Sequence, residues 1–390
     1  MGARRVTRSG TIAIIYARFG PYHIARLNGA QAVLSPEGWQ VFGIEVVPDD
    51  RFYAWEKVKG ESEVRRIPLL PGRAYTELSR AAIGKAVVEA LDAERPDVVV
   101  CPGWHYAESL AAARWSRRNR KIAILMSESC RHDSRRQWWR EMIKRCRLRL
   151  FDAALVGGRV HKAYLVELGM PRERITLGHN VVDNAHFAGR AEYARRHASQ
   201  VLRQVGLPER FILASGRFVP EKNFSLLLQA YRLYKEQNNA PLPLVICGDG
   251  PLRANLHALA DALGLSPNIR WPGFVQYKDL PFYYGLAEYF IIPSTIEPWG
   301  LVVNEAMASG LPVLVSSRCG CVPDLVQEGV NGFTFDPTDV EHLAALLIRM
   351  DKLESELPQL GKVSQQIISQ WGPERFAQGL WQAIQAAQRF

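Results

Sequence analysis

Two carboxylates in the last third of the chain, Glu297 and Glu305, are separated by seven residues in the run Glu297-Pro298-Trp299-Gly300-Leu301-Val302-Val303-Asn304-Glu305. A carboxylate can accept hydrogen bonds from two vicinal hydroxyls at once. Gly300 between them lets a ligand approach the backbone closely. If a helix starts there, the amides of Gly300, Leu301 and Val302 lack intrahelical acceptors and, with the helix dipole, form an anion site. Hydroxyl acceptors beside an anion site suit a ligand that carries both hydroxyls and phosphates. Taken singly, Glu297 reads as a helix cap and Glu305 as a solvated helix position. The arrangement as a whole carries the functional reading.

A second run of this kind lies upstream, Ala214-Ser215-Gly216-Arg217-Phe218-Val219-Pro220-Glu221-Lys222-Asn223. Gly216 allows a tight turn after a strand, Arg217 offers a planar fork to phosphate oxygens, and Lys222 offers a mobile point charge. Cations aimed at a departing diphosphate stabilise a transition state in which its charge rises. Such a loop can do work often given to a metal. No Asp-x-Asp pattern is present, and Asp49-Asp50 reads as a turn, so no metal is expected.

These runs need particular elements to hold them. Tyr289–Ile292 is a short apolar run ended by Pro293, and Leu311–Val315 is another, so both read as buried strands. Between them 301–309 predicts a helix, stopped by Gly310, with Pro312 preventing a restart. Strand, loop, helix, strand is the unit of a parallel α/β sheet, whose ligands bind at the carboxyl ends of the strands. Further strand-like runs lie at 11–16, 39–47, 97–101, 122–126 and 153–157. A second series runs through 211–214, 242–247, 269–271, 289–292 and 313–315, and Arg80–Glu94 has a helical pattern.

With these residues in place, the chain resembles the retaining glycosyltransferases of the GT-B fold, most closely family 4. Glu297 to Glu305 matches that family's E-x7-E signature. The Gly216-Arg217…Lys222-Asn223 run looks like its phosphate loop. Cys247-Gly248-Asp249-Gly250-Pro251 looks like its Gly-Asp/Glu-Gly-Pro turn. Gly273-Phe274-Val275 resembles its segment at the nucleotide base. The resemblance is dense over 211–335.

It implies two Rossmann-like, doubly wound α/β domains facing across a cleft: an acceptor domain over 1–185 and a nucleotide-sugar domain over 186–370. A helix over 371–390 would cross back to the first domain, anchored by Trp371 and Trp381. It also implies residue roles. Arg217 and Lys222 would hold the diphosphate, and Gly300, Leu301 and Val302 would donate to phosphates and sugar. Glu297 would orient sugar hydroxyls and Glu305 would bind the ribose diol, with Gly216, Gly248, Gly250, Phe274 and Val275 completing the donor site. The implied reaction moves a sugar from a uridine or guanosine diphosphate donor to an acceptor hydroxyl with retention, without a metal or other cofactor, in polysaccharide or glycolipid synthesis. An epimerase or phosphorylase on the same fold, and a non-catalytic nucleotide-sugar-binding protein, remain open.

The acceptor half departs from the family pattern. Phe19-Gly20-Pro21-Tyr22-His23 follows the first strand with one glycine, Gly20, where relatives have a Gly-rich loop. His23 could contact the acceptor or cap a helix. Glu128 stands where many relatives place a His, and His132 follows a turn later. Gly103-Trp104-His105-Tyr106 could line the same region through His105 and the aromatic rings, although core packing is the commoner use of such rings.

A chain of 390 residues with 47% hydrophobic residues fits two ordinary domains. No run of about 18 uncharged apolar residues is present to span a bilayer. The start of the chain is basic, its apolar run is too short for a secretory signal, and Val6 argues against myristoylation of Gly2. Six scattered cysteines read as reduced thiols, and with the missing signal they place the expectation in the cytoplasm. Residues 1–180 hold 31 Lys+Arg and 19 Asp+Glu, a net +12, while 181–390 hold 18 and 20, a net −2. The first half therefore prefers an anionic partner. Within it, 135–150 reads as a basic amphipathic helix with Trp139, Met142, Ile143, Cys146 and Leu150 on one face. The plain expectation docks that face on the sheet. The sharper one brings the helix to anionic lipid on the inner face of a membrane, suited to a lipid-linked acceptor. No nucleic-acid module is recognisable.

Overall fold

The computed structural model describes residues 9–48, 64–133 and 136–389. The basic start of the chain with Gly2, the Asp49-Asp50 turn and Arg135 lie outside the described residues. The chain divides into two compact units. One runs to Val182 and takes up the chain again from Trp371; the other is Asp183–Gln370.

The first unit holds a seven-stranded parallel sheet. Its strands are β1 (Gly10–Tyr16), β2 (Trp39–Glu45), β3 (Arg66–Pro68), β4 (Val98–Pro102), β5 (Ile122–Ser127), β6 (Ala153–Val156) and β7 (Ile175–Leu177), in the order β3-β2-β1-β4-β5-β6-β7. Helices cover both faces, so the strands read as continuous apolar runs. Ile12 and Ile14 pack on one side and Ala13 and Ile15 on the other. The second unit holds six parallel strands: β8 (Ile212–Ser215), β9 (Leu244–Cys247), β10 (Ile269–Gly273), β11 (Tyr289–Ile292), β12 (Val313–Ser316) and β13 (Gly332–Phe335). Their order is β10-β9-β8-β11-β12-β13. Each sheet therefore reverses direction once, between β1 and β4 and between β8 and β11. The loops leaving those strands are where a doubly wound sheet binds its ligand.

Sequence patterning misses β3, β7 and β13. β3 and β7 have only three residues and β13, Gly332–Phe335, opens on Gly and carries Thr334, so none shows the unbroken apolar run that marks most of the other strands. Helix Arg80–Glu94 forms over the predicted range, with the Ser79 hydroxyl capping the Ala82 amide at 3.1 Å.

Helix Pro373–Arg389 belongs to the first unit. It packs on helix Pro21–Leu34 and on the sheet. Phe376, Leu380, Ala383, Ile384 and Ala387 form its buried stripe at helical spacing. The Thr176 hydroxyl donates to the Gly379 carbonyl at 2.8 Å, and the Trp381 ring stands edge-on to Trp39 at 6.0 Å. Trp371 is buried beneath the Arg375 guanidinium. Among the described residues no helix is long and apolar enough to cross a membrane.

Leu380 has no solvent-exposed surface. Leu380→Ala should therefore cost about 2–5 kcal/mol, the range for an emptied core site, read as a lower denaturation midpoint in urea.

Candidate functional site

The site in the second unit is built where its sheet reverses. After β8 the chain makes a turn and a short 3-10 helix, Pro220–Lys222, before helix Phe224–Gln237. After β11 it runs through the loop from Pro293 to Gly300 into helix Leu301–Ala308. Lys222 Nζ and Glu297 Oε2 form an ion pair that joins these loops, and both side chains are largely buried. The Ser294 hydroxyl lies 3.3 Å from the same carboxylate oxygen. Asn223 sits in the left-handed region (φ 53°) and its Nδ2 donates to the carbonyls of Pro293 at 3.2 Å and Pro337 at 2.9 Å. One side chain thus ties together the loops after β8, β11 and β13. Arg217 is exposed on the same loop as Lys222.

Gly300 caps helix Leu301–Ala308 with φ 102°, a conformation only glycine adopts without strain. The first amides of the helix, those of Leu301 and Val302, follow it directly. Glu305 departs from expectation. It is fully buried, and its Oε2 accepts from the Tyr284 hydroxyl at 2.8 Å. It is therefore not the solvated helix position that it reads as when taken singly. Trp299 is also buried, its indole N–H donating to Asn304 Oδ1 at 2.8 Å. That bond fixes the path of the chain into the helix.

Gly248 and Gly250 stand where the turn after β9 meets the loop after β8. The Phe218 amide donates to the Asp249 carbonyl at 2.9 Å, and the Leu252 amide to the Phe218 carbonyl at 3.0 Å. A Cβ on Gly248 would lie 1.9 Å from the Gly216 carbonyl oxygen, and one on Gly250 2.7 Å from that of Phe218. The two glycines let the turn after β9 lie backbone to backbone against the loop that carries Arg217 and Lys222. Phe274 is exposed at the end of β10, and Val275 beside it is half-buried.

In the first unit the structure gathers a group that sequence reading found only in part. Glu128, after β5, meets His179, after β7, with Nε2 to Oε1 at 3.4 Å. Arg26, His161 and His23 act on the same group. Desolvation favours a raised Glu128 carboxyl pKa, but the side chain keeps 43% of its surface exposed, and the hydrogen bond and charge of His179 with the charge of Arg26 hold that pKa down at about 2. Burial and then Arg26 lower His179 to about 4 against the pull of Glu128. His179 is therefore a neutral donor at pH 7, and the standing cation beside Glu128 is Arg26, itself buried. His179 Nδ1 and Arg26 Nε are buried without a hydrogen-bond partner among the described residues. Arg26 stands three residues after His23 on the same helix. Nothing in the sequence signals that it is buried, or that His179 faces Glu128.

His23 does cap its helix. Its Nδ1 accepts from the Gly20 amide at 3.1 Å, and its ring stacks on Tyr16 at 4.1 Å. Burial, then Arg26 and His179, lower it to about 3. Trp104 is buried and stands edge-on to Tyr164, so core packing is its use and it lines no ligand surface. His105 is exposed and lies against the Tyr106 ring at 3.9 Å. His132 is exposed on the loop that follows Glu128. Among the described residues no cluster of three His, Cys, Asp or Glu could hold a metal ion.

Two outcomes follow from this geometry. Gly248→Ala forces a backbone carbonyl out of place, so its cost should exceed about 4 kcal/mol, the tail of single-substitution effects, in chemical denaturation. His23 and His179 are lowered below 6.5 in the folded state, so the unfolded chain takes up their protons first. Their stabilising effect is complete above pH 6.5 and is lost as the pH falls toward 4 and then 3. Each group adds a slope of at most about 1.4 kcal/mol per pH unit in that window. The melting temperature should drop between pH 6.5 and 4, and His23→Gln with His179→Gln should flatten that drop.

Comparison with known proteins agrees with this architecture. The family described as glycosyl transferases group 1 matches residues 202–366, and the glycosyl transferase 4-like domain matches residues 26–180. The chain is 37% identical over 140 residues to the sulfoquinovosyl transferase of Arabidopsis thaliana, covering 35% of this chain and 26% of that protein. It is 34% identical over 140 residues to the O-antigen chain mannosyltransferase B of Escherichia coli, covering 36% of each. An uncharacterized glycosyltransferase of Methanocaldococcus jannaschii is 37% identical over 136 residues, 35% of this chain and 34% of its own length. These matches span about a third or less of the relatives' own length. Among solved structures, the Anabaena protein HepE in complex with UDP and glucose superposes with a TM-score of 0.76 at 17% identity, covering 96% of this chain and 99% of that one. The sucrose-phosphate synthase of Thermosynechococcus elongatus gives 0.71 at 21% identity, over 96% and 98%. At such identities the likeness establishes the fold alone. With the two sequence families covering both units in order, the chain belongs to the GT-B glycosyltransferases of family 4, the group 1 glycosyl transferases.

Proposed function

We propose that this protein transfers a sugar from a nucleoside diphosphate sugar, of the uridine or guanosine type, to an acceptor hydroxyl with retention of configuration, in polysaccharide, glycolipid or other glycoconjugate synthesis. The observation that carries the reading is the Lys222–Glu297 pair beside the start of helix Leu301–Ala308, at the reversal of the second sheet. A cation, a carboxylate and free helix amides together match the phosphates and the hydroxyls of such a donor. Relatives whose names specify sugar transfer, and HepE with its bound UDP and glucose, support that donor class.

In the unliganded protein Lys222 and Glu297 neutralise each other. A bound diphosphate competes for Lys222, with Arg217 and the amides of Leu301 and Val302 as further donors to phosphate. Glu297 is then free to accept from hydroxyls of the transferred sugar. As the anomeric C–O bond to phosphate breaks, negative charge grows on the leaving oxygen. Lys222 and Arg217 stabilise it more in the transition state than in the ground state. The acceptor oxygen bonds to the same carbon on the same face, and its proton passes to the departing phosphate oxygen. The protein's own cations do the electrostatic work, and we assign no metal to it. On the acceptor side Glu128, held as an anion by Arg26 and His179, is the group suited to accept from an acceptor hydroxyl.

The test joins binding to turnover. Uridine, guanosine and adenosine diphosphate sugars should be compared for thermal stabilisation, and one of the first two should raise the melting temperature. Lys222→Ala should lower kcat/KM for transfer by about 10²–10³, the usual loss for one transition-state donor, and Glu297→Gln should lower it as well. Turnover of the donor without an acceptor, dependence on inorganic phosphate, or unchanged function in both variants would each replace this reading.

A further inference from the structure

The basic helix of the first unit runs over Trp138–Leu148 and is mounted with the opposite face inward from the one its pattern predicts. Only Leu148 is buried. The face toward the protein carries Glu141, Lys144 and Leu148. The Tyr164 hydroxyl donates to Glu141 Oε2 at 2.8 Å, and Lys144 Nζ donates to Glu141 Oε1 at 3.0 Å and to Tyr164 at 2.7 Å. Arg136 completes the network. It donates to Tyr164 at 2.7 Å, pairs with Asp133 at 3.0 Å and binds the Cys130 carbonyl. Polar groups thus hold this helix to its unit.

The outward face is the apolar one. Trp138, Met142, Trp139 and Ile143 are 81, 53, 45 and 43% exposed, and exposed Cys146 lies among them. At 100° per residue these five fall within an arc of about 140°. Four of the ten exposed large hydrophobic residues in the described structure sit on this one helix. Exposed Arg140, Arg145 and Arg149 border or interrupt the stripe, and the Arg140 guanidinium lies 5.0 Å from the Trp139 ring centre. The helix's one acid, Glu141, faces inward, and the carboxylate of nearby Glu167 is taken by Arg131 at 2.8 Å. The Arg145 guanidinium also donates to the Glu167 carbonyl at 3.1 Å, and the outward surface combines indoles, aliphatic side chains and positive charge.

We propose that helix Trp138–Leu148 docks this protein on an anionic lipid surface, with Trp138, Trp139, Met142 and Ile143 entering the headgroup layer and the arginines on lipid phosphates. Indole rings prefer the boundary between headgroups and hydrocarbon, and arginine side chains can bury their stems while their heads stay at phosphate level. Charge complementarity favours this occupant over a second copy of the chain. A symmetric pairing through this helix would bring the same arginines face to face. The inference rests on the helix alone and stands or falls independently of the transfer reaction.

The full-length protein should be sedimented with phosphatidylcholine vesicles, with and without phosphatidylglycerol. Binding is expected to the anionic vesicles only, to weaken with added salt, and to shift tryptophan emission to the blue. Trp138→Ala with Trp139→Ala, and separately Arg140→Gln with Arg145→Gln and Arg149→Gln, should each reduce partitioning by about tenfold or more. Donor-induced thermal stabilisation should be retained in both. The removed side chains are exposed, so an unchanged melting curve should confirm that the fold is intact. Equal binding to neutral vesicles, or binding unaffected by either set, would overturn the proposal. So would a dimer in solution that Trp138→Ala dissociates while vesicle binding is absent.

Discussion

Lys222 and Glu297 are 75 residues apart in sequence and share one ion pair with little solvent around it. Removing one partner of such a pair leaves an uncompensated charge, and that is where the large cost of a buried salt bridge lies. The loops after β8 and β11 are therefore bound to each other electrically as well as by sheet order. The neighbouring devices serve the same junction. Asn223 accepts a left-handed backbone so that its amide can reach two carbonyls on two other loops. Gly248 and Gly250 give up their side chains so that a third loop can pack behind. The ion pair also sets the electrostatics of this junction, because its two charges cancel. Under the proposed function a bound diphosphate would draw the lysine away and free the carboxylate.

The first unit handles its ionisable groups differently. There the groups near Glu128 include two imidazoles that burial holds neutral, and one buried guanidinium, Arg26, remains charged. Neutral His179 can give one hydrogen bond to Glu128 while Arg26 supplies the field. This keeps the carboxylate ionised without a second full charge beside it. It also makes that corner sensitive to acid, because the unfolded chain offers both imidazoles to protons earlier than the folded one does.

Much of the second unit was legible in the sequence because its chemistry is local. Gly216 to Asn223 and Glu297 to Glu305 each carry strand end, turn and helix start in one run, so reading the run placed the site at the ends of β8 and β11. Legibility failed where the deciding partner lies far along the chain. Glu305 taken singly reads as a solvated helix position until the fold buries it against Tyr284. Nothing local to Gly248 and Gly250 signals that Gly216 and Phe218 lie against them. Trp104 reads as a ring for stacking until Tyr164 packs against it. His179 and Arg26 carry no local signal, since their importance comes only from meeting Glu128. The strands missed, β3, β7 and β13, lack the unbroken apolar run that marks most of the others.

Helix Trp138–Leu148 shows the same limit most plainly. Hydrophobic periodicity identifies a stripe, but it cannot say which side of the helix the rest of the chain will occupy. Here a polar anchor wins. Arg136, Glu141, Lys144 and Tyr164 satisfy one another at 2.7 to 3.3 Å, and that closed set is possible only with Glu141 and Lys144 turned inward. The apolar stripe is then left outside, at a cost in exposed indole and aliphatic surface that a purely soluble role would not require. The net +12 over residues 1–180 points the same way, since a positive surface gains most from an anionic partner. A helix whose charges anchor it and whose hydrophobic residues face outward leaves the surface that the proposed lipid contact would cover.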